Sequence, residues 1–266
     1  MTVRWRGMAF VIDTNQGLKV RGYAGEPIEI TLAPHVIAEI LLRSDPRPTL
    51  SGLMAHRVRY GLDLSHVFEE LTALSKDEIV AFQPFAQGRY HNRYHAELAK
   101  PSVSLKRRAR RMKENNRRFC GSMFQAALRL RKTIREQGMK IEKCESISEA
   151  FDGLRSFHED LVVSALTNGR RRRFRVAGSE LYTSVMKNAH LSTGFKALLF
   201  YILSWSRLWA DQTLNYDPTS NRDDWTDLTL TFYAADGDTV VTEDRYLQRA
   251  IKTIEPLGRI LVRGSL

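Results

Sequence analysis

Two cysteines in 266 residues are too few for the crosslinked framework of a small secreted domain. Cys120 and Cys144 make no CxxC pair, so both read as buried thiols in a reducing compartment. Glycine-rich phosphate loops and dinucleotide fingerprints are missing as well. So are long apolar runs. The greasiest stretch, FKALLFYILSWSRLWA, carries Lys196 and Arg207 and reads as a buried helix rather than a membrane span. MTVRWRGMAF has neither the apolar centre nor the small-residue cleavage site of a secretory signal. A cytoplasmic protein without membrane contact is the expectation.

Negative charge is in short supply. Forty-one Lys and Arg face 30 Asp and Glu, a net charge of +11 that favours an anionic partner. The excess is local. Residues 101–209 hold 23 basic and 9 acidic side chains, whereas residues 210–266 reverse the sign with 6 and 10. Between Ser104 and Gly138, Leu105, Ala109, Met112, Phe119, Met123, Ala127, Leu130 and Ile134 recur at three and four residues, the period of an amphipathic helix. Asn115, Asn116 and Gly121 are where that helix could break. Its other faces carry Lys106, Arg107, Arg108, Arg110, Arg111, Arg117 and Arg118. A second run, Arg170, Arg171, Arg172 and Arg173, follows the turn signal Asn168-Gly169. Basic side chains this dense and of one sign suit contacts to a phosphate backbone; a merely solvated face is the bland reading.

The ends of the chain carry the strand signals. MAFVID (8–13) is a short apolar run closing on an acid, and IEITL (28–32) alternates before PHVIAEILLR, a helix opened by Pro34. Later come DWTDLTLTFYAA as a helix, a turn at Asp236-Gly237, DTVVTED as a buried strand, RYLQRAIKTI as a helix and RILV (259–262) as a last strand. Strands alternating with helices predict a parallel α/β sheet. Residues 50–99 read as irregular helix broken at Pro84 and Gly88, and 179–209 as two helices meeting near Ser192-Thr193. The expected organisation is a discontinuous core of residues 1–48 and 210–266 with a helical basic insertion at 49–209.

Five acids fall where strands end or helices run: Asp13, Glu39, Asp224, Asp227 and Asp244. Parallel sheets place ligand sites outside the carboxyl ends of their strands. Carboxylates gathered there repel one another unless compensated, and oxygen-only donors suit Mg²⁺ or Mn²⁺. Taken singly, each has a bland reading as a turn or helix cap.

In order and local spacing these segments resemble the PIN-domain ribonucleases. VIDTN at 11–15 resembles the family's opening motif, PHVIAEIL at 34–41 its second, and DLTLTFYAADGDTVVTED at 227–244 its closing pair. The resemblance implies a twisted parallel sheet flanked by helices and metal-dependent cleavage of RNA. It implies catalytic and metal-site roles for Asp13, Glu39, Asp227 and Asp244, with Asp224 substituting for or joining Asp227, and supporting roles for Asn15 and Thr242. Many small members are toxins held by an antitoxin, so an inhibitory protein partner is implied alongside RNA. The 185 residues from Glu39 to Asp224 are several times the compact spacing, and the central strand usual after the second motif is not visible.

Other readings stay open. DNA could replace RNA as substrate, a non-catalytic nucleic-acid-binding or assembly module could keep the same fold, and a homo-oligomer is open as well. His91 and His95, four apart in RYHNRYHAEL, lack the glutamate of HExxH. With Tyr90 and Tyr94 they read as a solvent-facing pair suited to stacking near bound RNA. VIDTN lacks the second aspartate of a DxD phosphotransferase.

Overall fold

The computed structural model describes residues 9–14, 16, 27–138, 151–167, 173–206, 224–255 and 257–264; the side chains of 116, 117, 119–123, 205 and 206 are not among those described. Five short strands form one parallel sheet: β1 (Phe10–Ile12), β2 (Glu29–Leu32), β3 (Arg57–Tyr60), β4 (Thr239–Val241) and β5 (Leu261–Arg263). Their order is β3-β2-β1-β4-β5. Phe10, Val11 and Ile12 pair with Thr239, Val240 and Val241 on one side, and Phe10 and Val11 pair with Ile30 and Thr31 on the other. Parallel strands must be covered on both faces, which is why β1 and β4 read as short continuous apolar runs. The chain moves from β1 outward through β2 to β3, then returns to lay β4 on the opposite side of β1. The crevice between β1 and β4 is therefore the topological switch point of the sheet.

Helices supply the cover. α1 (Pro34–Leu42) has proline at its start and buries Val36, Ile37, Ile40 and Leu41. Then follow α2 (Arg47–Met54), α3 (Leu64–Glu70) with a 3₁₀ turn at Leu71–Ala73, α4 (Lys76–Ala81) and α5 (Gly88–Ala99). The basic segment is one uninterrupted helix, α6 (Val103–Glu136), capped by Ser102, whose hydroxyl accepts from the Leu105 amide at 3.1 Å. Neither Asn115 nor Gly121 breaks it. At ~1.5 Å per residue it spans ~50 Å. Its buried stripe of Leu105, Ala109, Ala127, Leu130 and Ile134 packs it on α1 and on α9 (Ala189–Ser206).

α7 (Arg155–Thr167) and α8 (Gly178–Lys187) complete the middle. The junction of α8 and α9 lies at Asn188, not at Ser192-Thr193. Asn188 Oδ1 accepts from the amides of His190 and Leu191, capping α9, while its Nδ2 donates to the carbonyls of Ile79, Val80 and Phe82. One buried amide thus ends one helix, starts the next and ties both to α4. Gly194 lets α9 lie flat on the following segment, because a Cβ there would collide with the Phe232 ring. The stretch read as a helix from DWTDLTLTFYAA is a short α10 (Asp224–Leu228) tightening into a 3₁₀ turn at Thr229–Tyr233. The hydroxyls of Thr229 and Thr231 bond back to the carbonyls of Thr226 and Leu228, a competition that disfavours regular helix. α11 (Arg245–Ile254) closes the sequence of helices.

The architecture is a parallel sheet flanked by helices with a large helical portion. β3 is the strand that the sequence did not reveal, and it lies within residues 49–209. One apolar core runs through strands and helices together, from Val11 and Ile30 to Leu130 and Leu198. Cys144 lies outside the described residues and Cys120 outside the described side chains. Among the described residues no helix is long and apolar enough to cross a membrane.

Candidate carboxylate site

Asp13 follows β1 directly, and its amide donates to the Val241 carbonyl at the end of β4. Its Oδ1 accepts from the Gln16 amide at 2.8 Å, so it also caps the turn that leaves the strand. Asp244 lies three residues beyond β4 and caps α11, with Oδ1 2.6 Å from the Leu247 amide. Thr242, fully buried between them, accepts the Asp244 amide on its hydroxyl at 3.0 Å and the Gln248 side-chain amide on its carbonyl. Asp13 and Asp244 thus flank the switch point on the two strands that define it.

Glu39 reaches the same end from α1, where Thr14 donates its hydroxyl to Oε2. Asp224 and Asp227 come from the first turn of α10. Asp227 is mostly buried, and its carboxyl is pushed well above the usual range, first by burial and then by the negative charges of Glu39, Asp244, Asp224 and Asp13. The other four acids picked out in the sequence therefore all act on Asp227, although as much as 214 residues of chain separate them from it. Asn15 lies outside the described residues.

Acids elsewhere in this sheet are treated differently. At the amino ends of the strands, Glu29 and Asp238 share Arg59, at 3.3 and 3.4 Å, and all three side chains are nearly buried. Among the described residues no basic side chain makes an ion pair with Asp13, Glu39, Asp227 or Asp244. No three His, Cys, Asp or Glu side chains among the described residues stand close enough together to hold one metal ion. Asp13, Glu39 and Asp244 are each drawn instead to a neighbouring amide or hydroxyl.

Family models, curated proteins and solved structures offer no match to the chain.

Sequence reasoning missed Gln16. It is fully buried beside Asp13, its Nε2 donates to the Gly264 carbonyl at 3.0 Å, and its Oε1 has no partner among the described residues. A glutamine three residues after a strand-ending aspartate gives no local sign of a contact to residue 264.

Of the basic residues, Arg107, Arg108, Arg110, Arg111 and Arg118 are exposed on α6, Lys106 is half-buried and Arg173 is exposed. Arg108 is partly committed, pairing with Glu97 at 2.8 Å and lying over the Tyr94 ring. The others make no ion pair among the described residues. Arg170, Arg171 and Arg172 lie outside the described residues, and the Arg117 side chain is not described. His91 and His95 are not a solvent-facing pair. Both are half-buried against β3, where His91 Nε2 donates to the Val58 carbonyl and His95 Nδ1 bonds the Tyr60 hydroxyl at 2.8 Å.

Proposed function

We propose that this chain is a metal-dependent endoribonuclease that hydrolyses RNA phosphodiester bonds at Asp13, Glu39, Asp227 and Asp244, with Asp224 beside them. The observation that supports the reading is a mostly buried Asp227 whose carboxyl is raised by burial and then by the negative charge of four further acids, with no arginine or lysine paired to the four principal ones among the described residues. An arrangement so unfavourable on its own is explained by a cation that is not part of the chain. The donor set is oxygen throughout, which suits Mg²⁺ or Mn²⁺. Such an ion supplies charge neutralisation, a more acidic water and stabilisation of the leaving oxygen.

Asp13 and Asp244 are the rigid members, since the sheet fixes their backbones to each other. Glu39 and Asp227 complete the set or orient the attacking water. Thr242 holds the Asp244 backbone. The exposed arginines of α6 supply the backbone contacts that hold the strand. The resemblance of VIDTN, PHVIAEIL and the closing segment to the PIN-domain ribonucleases supports the same roles.

The test is single-turnover cleavage of matched labelled RNA and DNA in saturating Mg²⁺ or Mn²⁺. Asp13→Asn is expected to abolish cleavage while RNA affinity and the thermal melt stay largely intact. A fully active Asp13→Asn protein would remove the mechanism, and preferential DNA cleavage would reassign the substrate.

A second reading has its own observation. Because no three of these side chains converge closely as they stand, a non-catalytic nucleic-acid-binding module is the competing class. Titration with Mn²⁺, followed by water-proton relaxation, separates them: the nuclease binds the ion through these acids and the module does not.

A further inference from the structure

The exposed arginines of α6 are not spread evenly along it. Arg107, Arg110, Arg111 and Arg118 stand in its first half, and Arg129, Arg131 and Arg135 near its end. Between the two groups, residues 119–128 (FCGSMFQAAL) carry no charge at all. Two of them are nevertheless open to solvent, Phe124 at 39% and Leu128 at 44%.

Both groups lie outside the buried stripe of Leu105, Ala109, Ala127, Leu130 and Ile134. Arg118 is eleven residues from Arg107 and eleven from Arg129, close to three turns each way, so these three form a nearly straight row. None of the seven arginines makes an ion pair among the described residues, whereas on the same helix Arg108 pairs with Glu97 and Lys132 with Glu136. At ~1.5 Å per residue the charge-free gap from Arg118 to Arg129 is ~16 Å, and the whole row from Arg107 to Arg135 is ~42 Å.

Those lengths discriminate between ligands. A single strand is flexible and is matched by a continuous line of charge; over the gap its phosphates would lie on apolar side chains. A duplex is stiff and presents ridges of phosphate separated by grooves, and a gap of ~16 Å is enough to clear one groove. The row as a whole exceeds one duplex turn, roughly 34 Å in B-form. The narrow minor groove of B-DNA, roughly 6 Å wide, excludes a phenylalanine and a leucine on a helix surface. The wide, shallow minor groove of an RNA duplex admits them.

We propose that the outer face of α6 lies along an RNA duplex, with Arg118 and Arg129 on opposite sides of the minor groove, the remaining arginines following the two phosphate ridges, and Phe124 and Leu128 over the sugars between. The inference rests on the nucleic-acid reading above and specifies base-paired RNA as what this helix holds. The outer face turns away from α1, which carries Glu39, so the stem is held apart from the segment that is cut.

The test uses the full chain in EDTA, where cleavage plays no part. Fluorescence anisotropy is read on labelled RNA hairpins with stems of 8, 12 and 16 base pairs and a common loop. DNA hairpins of the same design and an unstructured RNA of equal length stand beside them. An 8-base-pair stem is shorter than a turn and engages one arginine group; the 16-base-pair stem engages both. The longer stem is expected to bind roughly tenfold or more tightly, because the second group acts on a molecule already held. Its slope of log K against log salt should be steeper by about 2–3, at about 0.9 for each phosphate met by Arg129, Arg131 and Arg135. Equal slopes for the two stems overturn the proposal. Equal binding of the unstructured strand overturns the duplex assignment, and equal binding of the DNA hairpins overturns the assignment to RNA.

Replacing Arg129, Arg131 and Arg135 together with glutamine is expected to bring the 16-base-pair stem to the salt slope of the 8-base-pair stem. The thermal melt should hardly move, since all three side chains are exposed. Unchanged binding of the longer stem by this variant overturns the two-group contact. Failure of these binding tests leaves the cleavage result for Asp13→Asn untouched, so the two readings fall separately.

Discussion

Asp227 is mostly buried and Asp238 fully so, yet their charges are met in opposite ways. Asp238 accepts the amides of Ala9 and Ala235 and pairs with Arg59. Asp227 is desolvated by burial and then has four acids for company, so the folded protein holds its proton to higher pH than the unfolded chain does. Between the ordinary value of 3.8 and that raised value the folded state carries the extra proton, and this residue's contribution to stability falls as pH rises. Asp227→Asn should therefore raise the Tm in EDTA at pH 7.5, with a smaller gain at pH 4; no gain at pH 7.5 would contradict the electrostatic picture. Removing Arg59 has the reverse outcome. Arg59→Met leaves Glu29 and Asp238 unpaired in the interior and should cost about 3–5 kcal/mol in urea denaturation.

Three histidines set the acid limit. Burial lowers the pKa of His35 to about 3 and those of His158 and His190 to about 4. Their ordinary value is 6.5, so the unfolded chain takes up protons that the folded chain refuses. Their contribution to stability is complete above 6.5 and is lost as pH falls towards 4. Three groups act in this direction against two raised carboxyls, Asp227 and Glu29. The Tm should drop steadily between pH 6.5 and 4.5 in a calorimetric series, and a flat profile would show that the rings are protonated in the fold.

Among the elements, α6 divides into a buried stripe and a basic exterior. Arg107, Arg110 and Arg111 are exposed members without an ion pair among the described residues, whereas Arg108 also braces Glu97 and Tyr94. Replacing those three with glutamine should weaken RNA binding and lower the slope of log K against log salt by about 0.7 for each phosphate no longer neutralised. An unchanged slope would make the run a solvated face. Arg108→Gln should in addition lower the Tm slightly.

What the sequence disclosed follows the range of the forces involved. The start of α1 was readable from Pro34, because proline acts within a turn, and α11 from the run RYLQRAIKTI. β3 was not. Its RVRY places Arg59 in the interior, which makes sense only once Glu29 and Asp238 arrive from strands far away in the chain. The break at Asn188 depends in the same way on carbonyls of residues 79–82. The acids of the candidate site were recognisable by type and by position at element ends. The hydrogen bond that turns Glu39 and the partner of Gln16 were not, since those depend on Thr14 and on residue 264.

At the scale of the whole molecule, the strand that completes the switch point is made after β1, β2, β3 and most of the helices. β1 gains its second neighbour only when residues 239–241 have been made, and Asp13 gains Asp244 three residues later. Contacts that span more than 200 residues carry a large closure entropy and form late. A nascent chain emerging from the ribosome can therefore shape β1, β2, β3 and much of the helical layer while the carboxylate cluster does not yet exist. The basic helix is complete about a hundred residues before the acids meet. On the proposed function, synthesis would complete the polyanion-holding helix before the cutting site, an order of events that would protect the message from which the protein is being read.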